Sequence, residues 1–249
     1  MPGPSPAAPD GPLPLVVVPG MLCDASLWSD VCFPDGHPVH HVALTEPSVG
    51  ELADTVLSAT TGPFVLAGLS LGAIVGFEVL RRAPGRVAGL CLVSTNAGAP
   101  RPEQYAAWRA WDELAGDGRF DAVVEQTLPG MFGRTPAPVR LAERYRRMAR
   151  AVGPRAARAQ LAAQATRRDA FPALRTVRCP TAVVCGTRDA LCPPGFHRAI
   201  ADAVPGARLH ELPGTGHLLP WERPDALTSV LGDHMATVQA AHHRPARAG

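Results

Sequence analysis

The sequence contains no lysine, so all 24 of its lysine-or-arginine positions are arginine. Schiff-base formation, attachment of pyridoxal phosphate and a Walker-type phosphate loop each need a lysine side chain. These three kinds of chemistry are therefore excluded. Together with the many alanines, glycines and prolines, the missing lysine indicates a GC-rich bacterial genome.

Long hydrophobic runs and paired cysteine motifs are absent as well. No apolar run approaches the roughly 18 residues that a membrane-spanning helix needs. The six cysteines show no C-x-x-C pair and no zinc-ligand spacing, which favours a reduced, cytoplasmic protein. Residues 1–12 lack both a basic start and an apolar core, and are predicted to be a flexible tail rather than a signal peptide. We expect a soluble protein that uses neither a metal nor a cofactor.

Short apolar runs alternate with helical patterns in two parts of the chain. The predicted strands are 13–18, 39–44, 64–67, 86–94, 181–185 and 207–212. The predicted helices are 48–59, 73–80, 194–203 and 225–234. This alternation predicts an α/β fold, in which helices cover both faces of a mostly parallel sheet of about six strands.

The segment 99–178 departs from the alternation and shows helical patterns alone. Apolar side chains recur in it at helical spacing, with arginines on another face. It therefore separates the α/β core into two parts, residues 13–98 and 179–238. The last stretch, 239–249, is predicted to be a disordered tail.

The stretch Gly68-Leu69-Ser70-Leu71-Gly72 matches the Gly-x-Ser-x-Gly pattern of a nucleophile elbow. In such an elbow a sharp strand-to-helix turn exposes a serine hydroxyl at the start of a helix. The pattern is weak by itself, but here an apolar strand precedes it and an apolar helix follows it, as the turn requires. Glycine at both ends removes the Cβ atoms that would collide at so tight a bend.

Four strand-end stretches give the chain its resemblance to a known family. They are Val18-Pro19-Gly20-Met21, the elbow, Gly186-Thr187-Arg188-Asp189 and Gly214-Thr215-Gly216-His217. In these stretches, and in the order Ser, Asp, His, the sequence resembles the small α/β-hydrolases from about residue 13 to 235. The resemblance implies that segment 99–178 is a helical lid. The family's usual first two strands are missing, which again predicts about six strands.

The predicted catalytic residues are Ser70, Asp189 and His217. A serine hydroxyl needs a base to take its proton, and His217 lies in a glycine-rich loop after a strand. Asp189 follows the strand 181–185 and would orient the imidazole. The fold's other acid position, after the strand 86–94, offers no carboxylate. The alternatives are a loop histidine without chemistry and an aspartate that only caps a turn.

Two backbone N–H groups are the predicted oxyanion hole. One is the N–H of Leu71, at the start of the elbow helix. The resemblance implies that the other is the N–H of Met21, in the loop after the first strand. Many relatives carry His-Gly in this loop, where the present sequence has Pro19-Gly20. A backbone donor does not depend on that side chain.

An apolar substrate pocket is predicted from side chains near the site and in the lid. The candidates are Leu22, Trp108, Trp111, Met131, Phe132 and Leu218. The alternative is that the aromatic residues only pack the lid helices against one another, as aromatic stripes usually do.

The lid is strongly basic. Between Arg134 and Arg168 there are ten arginines and one acid, Glu143, whereas the whole chain has a net charge of +2. The excess could attract an acidic carrier protein or a coenzyme A thioester. The alternative, a helical face that is simply solvated, is the commoner outcome for exposed charge runs. No nucleic-acid recognition motif is present, and no nucleic-acid partner is expected.

The sequence therefore predicts a serine hydrolase that cleaves a small-molecule carboxylic ester or thioester through an acyl-enzyme on Ser70. Acyl transfer, perhydrolysis, C–C bond hydrolysis and a biosynthetic lyase or cyclase reaction use the same three residues and remain alternatives. A ligand-binding module without turnover is a further alternative, because a fold does not fix a function.

Overall fold

The computed structural model describes residues 11–243, and the described part forms a six-stranded, all-parallel sheet in the order β2-β1-β3-β4-β5-β6. The strands are β1 (Leu15–Val18), β2 (Val39–His41), β3 (Phe64–Leu69), β4 (Val87–Val93), β5 (Thr181–Gly186) and β6 (Arg208–Leu212). This confirms the predicted fold class and sheet. Because the strands are parallel, the loops that follow them meet at one edge of the sheet.

Nine α-helices connect or follow the strands within residues 11–243. They are α1 (Val49–Ser58), α2 (Leu71–Arg82), α3 (Pro102–Gly116), α4 (Phe120–Thr127), α5 (Val139–Thr166), α6 (Phe171–Leu174), α7 (Pro194–Ala203), α8 (Leu219–Glu222) and α9 (Pro224–His242). No helix in this described part is both long enough and apolar enough to cross a bilayer.

The sheet is covered on both faces because its central strands are apolar at every position. Leu15 and Val17 of β1 enter a core shared with α9 and part of the helical insertion, whereas Val16 and Val18 enter a core shared with α1 and α2. All four side chains are fully buried. Continuous apolar runs of this kind are typical of parallel strands that are buried on both sides.

The helices α3 to α6 lie between β4 and β5 and form a helical insertion at residues 99–178. Helix α5 is broken at Gly153, whose φ of 75° is not helical and precedes Pro154. Proline lacks the N–H that would continue the helix, and glycine accepts the left-handed conformation easily. Beyond the break, Gln160 of α5 bonds to the loops that follow β1 and β2.

At its C-terminal end the described chain differs from the expectation. Residues 1–10, most of the predicted N-terminal tail, and residues 244–249 lie outside the described part. Helix α9 runs on to His242, past residue 239, where the disordered tail was expected to begin. Gln239 is held in place because its side-chain oxygen accepts the N–H of Leu13 at 3.1 Å. Met235 and Val238 are buried in the core as well, so the apolar face of the helix continues past residue 234, where the helix was predicted to end.

Candidate active site

Ser70 lies at the sharp turn between β3 and α2, with a positive φ of 54°. Its own N–H donates to the carbonyl of Val93 on the neighbouring strand at 2.9 Å, which fixes the turn to the sheet. A Cβ at Gly68 would lie 2.5 Å from the nitrogen of Ala73, and one at Gly72 would lie 2.3 Å from a carbonyl of β1. Only glycine fits at these two positions, as the elbow pattern predicted.

His217 and Asp189 form a buried pair, with 2.8 Å between Nδ1 of the imidazole and Oδ2 of the carboxylate. A carboxylate can only accept, so Nδ1 carries the hydrogen and Nε2 is left as a proton acceptor. The other oxygen of Asp189 accepts the N–H groups of Leu191 and Cys192, each at 2.9 Å. Burial raises the pKa of Asp189, but His217 and the Cys192 N–H outweigh it, so the pKa lies below its usual range.

The loop that carries His217 is clamped against the helical insertion. The two carboxylate oxygens of Glu222 accept the N–H of Gly133 at 3.0 Å and the N–H of Gly216 at 2.7 Å. The N–H of Leu218 donates to the carbonyl of Met131 at 3.0 Å. The insertion therefore sets the position of the imidazole.

The N–H groups of Met21 and Leu71 take no hydrogen-bond partner within residues 11–243, whereas the N–H of Ser70 donates to Val93 and the N–H of Cys23 donates to Gly20. Next to Met21, the N–H of Leu22 donates to Oε1 of Gln160 at 2.8 Å. The amide nitrogen of Gln160 donates in turn to the carbonyl of Leu44 at 3.0 Å. Helix α5 thus holds the loop after β1 in the conformation that leaves the Met21 N–H open.

A cavity of about 280 Å³ opens beside Ser70 and His217. Of the predicted pocket residues, Trp108, Trp111 and Met131 lie in its wall. Further polar residues in the wall are Thr95, Asn96, Gln104, Gln126, Thr127, Gln164 and Arg167. The pocket is therefore more polar than the sequence predicted.

Three predicted pocket residues lie elsewhere. Leu22, Phe132 and Leu218 are almost fully buried in the hydrophobic core between the sheet and the insertion, and they do not contribute to the cavity wall. Leu22 has a positive φ of 60°, and its N–H is tied to Gln160. Being next to a site residue in the sequence did not predict a place in the cavity wall, because successive side chains of a loop point in different directions.

A second buried histidine supports the elbow. Nε2 of His197 accepts the N–H of Thr95 at 2.8 Å, and the hydroxyl of Thr95 donates to the carbonyl of Ser70 at 3.0 Å. Burial lowers the pKa of His197 to about 4, so the ring is neutral at neutral pH and can accept this bond. Sequence analysis found no motif around His197, and its role depends on contacts between distant segments.

In the described part of the chain, one group of side chains has the spacing of metal ligands. It consists of Asp189, Cys192 and His217, whose ligand atoms lie within 4.8 Å of one another. Asp189 and His217 are already joined by a hydrogen bond. Burial raises the pKa of the Cys192 thiol well above its usual value, which disfavours the thiolate that a metal needs. The geometry fits an acid–base pair better than a metal centre.

Half of the arginines in the basic stretch are engaged in ion pairs within the described chain. The pairs are Arg144 with Asp30, Arg146 with Glu125 and Glu143, Arg150 with Asp121, Arg158 with Asp112, and Arg168 with Glu78. Most of these acids lie outside the basic stretch. The local charge excess seen in the sequence is thus partly neutralised by folding, which weakens the case for an acidic docking partner.

The parallel sheet and the strained serine turn at its edge are those of an α/β-hydrolase. The sequence profile of the alpha/beta hydrolase family matches residues 15–230 of the chain. The chain therefore belongs to the alpha/beta hydrolase family and is an enzyme of the hydrolase class, as predicted.

Similar proteins span most of the chain. "Putative non-heme bromoperoxidase BpoC" of Mycobacterium tuberculosis is 29% identical over 79% of this chain and 77% of its own length. Pimeloyl-[acyl-carrier protein] methyl ester esterase of Chromobacterium violaceum is 26% identical over 78% of this chain and 79% of its own length. A malate-bound thermophilic esterase from Thermogutta terrifontis superposes with a TM-score of 0.81 at 25% identity, covering 92% of this chain and 91% of its own.

Proposed function

We propose that the protein is a serine hydrolase that cleaves a short carboxylic ester or thioester through an acyl-enzyme on Ser70. The observation that carries the proposal is the buried His217–Asp189 pair, since its His217 lines the same cavity as the strained Ser70 turn. The names of two relatives, both esterases, point to the same reaction.

In the proposed mechanism Nε2 of His217 takes the hydroxyl proton as Ser70 attacks the carbonyl carbon of the substrate. Asp189 holds the imidazole by Nδ1 and stabilises its protonated form. The open N–H groups of Met21 and Leu71 donate to the oxyanion that forms. The proton passes from His217 to the leaving alcohol or thiol, and water then repeats the sequence to release the acid and free Ser70.

The substrate should be small. A cavity of about 280 Å³ lies at the lower end of the range of small-molecule sites. The helical insertion supplies Trp108, Trp111 and Met131 to its wall, and we propose that the insertion acts as the lid over the acyl group. A short acyl chain fits this volume, and a long fatty acyl chain does not.

The test is the turnover of p-nitrophenyl acetate and p-nitrophenyl butyrate by Ser70→Ala. We expect kcat/KM to fall by roughly a thousandfold or more, because the covalent step is lost. The matched control is Ser94→Ala, since Ser94 also follows a strand with a positive φ but does not line the cavity. Wild-type turnover in Ser70→Ala would refute the proposal.

Perhydrolysis is the second candidate, favoured by the similarity to a protein named for bromoperoxidase activity. In this reaction hydrogen peroxide replaces water as the nucleophile that attacks the acyl-enzyme, and a peroxy acid leaves. Incubation with peroxide and acetate, followed by detection of peracetic acid, separates it from hydrolysis. Formation of peracetic acid that disappears in Ser70→Ala would favour perhydrolysis.

A further inference from the structure

Arg167 brings a buried positive charge to the wall of the cavity that contains Ser70. It follows the last residue of α5 directly, and only 7% of its surface is exposed. Its guanidinium lies over the ring of Trp108, 5.4 Å from the ring centroid. Arginine side chains are seldom buried this deeply unless they are paired with an acid.

The partners of Arg167 are neutral. Nη1 donates to Oε1 of Gln164 at 3.2 Å, and Nη2 donates to Oε1 of Gln104 at 3.1 Å. Nε is buried and has no partner within residues 11–243. By contrast Arg158, on the outer surface of the same helix, has a carboxylate within 2.8 Å.

The charge of Arg167 is therefore not compensated within the described chain. Burial lowers the pKa of its guanidinium, yet an arginine stays protonated in a protein. A buried ion without a counter-ion is costly, and the cost is recovered when an anion enters. Among the described residues the cavity wall contains no acidic side chain, and the Asp189 carboxylate behind it is already paired with His217.

We propose that Arg167 binds a carboxylate of the substrate, so that the enzyme acts on short esters that carry a free carboxylate. This inference rests on the proposed serine hydrolase. The planar guanidinium fork matches a carboxylate, and among the described residues it is the one permanently charged group in the cavity wall. A single positive charge suits a monoanionic carboxylate better than a phosphate dianion.

The experiment compares substrates that differ only in the charged group. Monomethyl esters of the straight-chain C4 to C7 dicarboxylic acids are paired with the corresponding terminal amides, which have nearly the same size. A second pair, O-acetylglycolate and O-acetylglycolamide, places the carboxylate on the leaving group. Methanol or acid release is followed at pH 7 for the wild type, Arg167→Met, Arg167→Lys and Arg168→Met.

We expect the wild type to prefer the acid to the amide in kcat/KM by roughly ten- to hundredfold in at least one pair. The pair that shows the preference tells whether the carboxylate belongs to the acyl or the leaving group. Arg167→Met should abolish the preference, and Arg167→Lys should retain part of it, because lysine keeps the charge but not the fork. Arg168→Met is the matched control, since its exposed side chain pairs with Glu78.

Equal turnover of acid and amide by the wild type in every pair would overturn the inference, as would an unchanged preference in Arg167→Met. A binding experiment distinguishes failure of the carboxylate site from failure of the proposed function. Calorimetry on Ser70→Ala with monomethyl glutarate and with its uncharged analogue methyl glutaramate needs no turnover. Binding of monomethyl glutarate alone, lost in the Ser70→Ala/Arg167→Met double variant, supports the carboxylate site even if no ester is hydrolysed. Absence of monomethyl glutarate binding counts against it.

Discussion

At the scale of a single residue, Asp189 forms hydrogen bonds to three groups of the proposed active site. One carboxylate oxygen orients His217, and the other accepts the N–H groups of Leu191 and Cys192. Because those N–H groups fix the carboxylate, the imidazole it holds is fixed as well. The arrangement leaves Nε2 as the only ring nitrogen free to take a proton.

Asp189→Asn should therefore lower kcat by roughly 10³- to 10⁴-fold, because an amide NH2 facing Nδ1 would force the wrong tautomer of His217. The measurement is steady-state hydrolysis of p-nitrophenyl acetate. Asp202→Asn, an exposed position on α7, is the control and should behave as the wild type. Full activity in Asp189→Asn would show that the aspartate only caps its turn.

Some residues with an assigned role could be predicted from the sequence, and others could not. Ser70, Asp189 and His217 were predictable, because each lies in a short motif at a strand end. Arg167, Gln160 and His197 were not, because their contacts join segments far apart in the chain. No local pattern marks a buried arginine or glutamine, and only the packing of the insertion on the sheet makes them visible.

At the scale of elements, the second half of α5 acts as a brace for the loop after β1. Gln160 is 1% exposed and bonds to Leu22 and Leu44, which flank two different loops of the sheet edge. The side chain therefore bridges the loop after β1 and the loop after β2. The insertion thus supports the loop that would supply the Met21 N–H to the proposed oxyanion hole.

Gln160→Leu should leave a buried N–H and a buried carbonyl without partners. Each such group costs about 1–3 kcal/mol, and the loop that carries the Met21 N–H should shift. We expect a lower free energy of unfolding in urea and a fall in kcat of roughly tenfold or more. Ala162→Leu, at an exposed position of the same helix, is the control. Unchanged kcat with reduced stability would mean that Gln160 supports the fold alone.

The observed ends of the strands and helices show how far local sequence patterns predict secondary structure. Strands β3 to β5 were predicted almost to their observed ends, because they are continuous apolar runs. Strand β2 contains only Val39–His41 of the predicted 39–44, since it lies at the sheet edge and pairs with β1 alone. Helix α9 is longer than predicted, since Met235 and Val238 continue its buried face and Gln239 bonds to Leu13 across 226 positions.

At the scale of the whole molecule, buried histidines link stability to pH. Burial lowers the pKa of both His197 and His234 from 6.5 to about 4. The unfolded chain therefore binds these protons at a higher pH than the folded chain does. Stability from these groups is fully present above pH 6.5 and is lost as the pH falls toward 4.

We expect the free energy of unfolding to drop between pH 6.5 and 4 by roughly 2–3 kcal/mol for each of these histidines. Urea titrations at several pH values measure this slope. The variants His197→Gln and His234→Gln should each flatten it, whereas His243→Gln, at an exposed position, should not. A slope that is the same in all three variants would contradict the assignment to His197 and His234.

The arginine-rich stretch is also understood only at the scale of the whole molecule. The sequence suggests a strongly basic lid, but Asp30, Glu78 and Asp112 come from outside the basic stretch and pair with its arginines. Folding brings together charges that are separated along the chain. A charge run therefore has to be judged against its neighbours in space. Arg167 differs from the paired arginines because it is buried and its partners among the described residues are neutral.

The most direct test of the central claim is the site of reaction with a fluorophosphonate. Such a reagent phosphonylates an activated serine, and peptide mass spectrometry locates the adduct. We expect one adduct, on Ser70, with the wild type, and no adduct in Ser70→Ala or His217→Ala, because the nucleophile or its base is then missing. An adduct on any other residue, or labelling that persists in Ser70→Ala, would contradict the account.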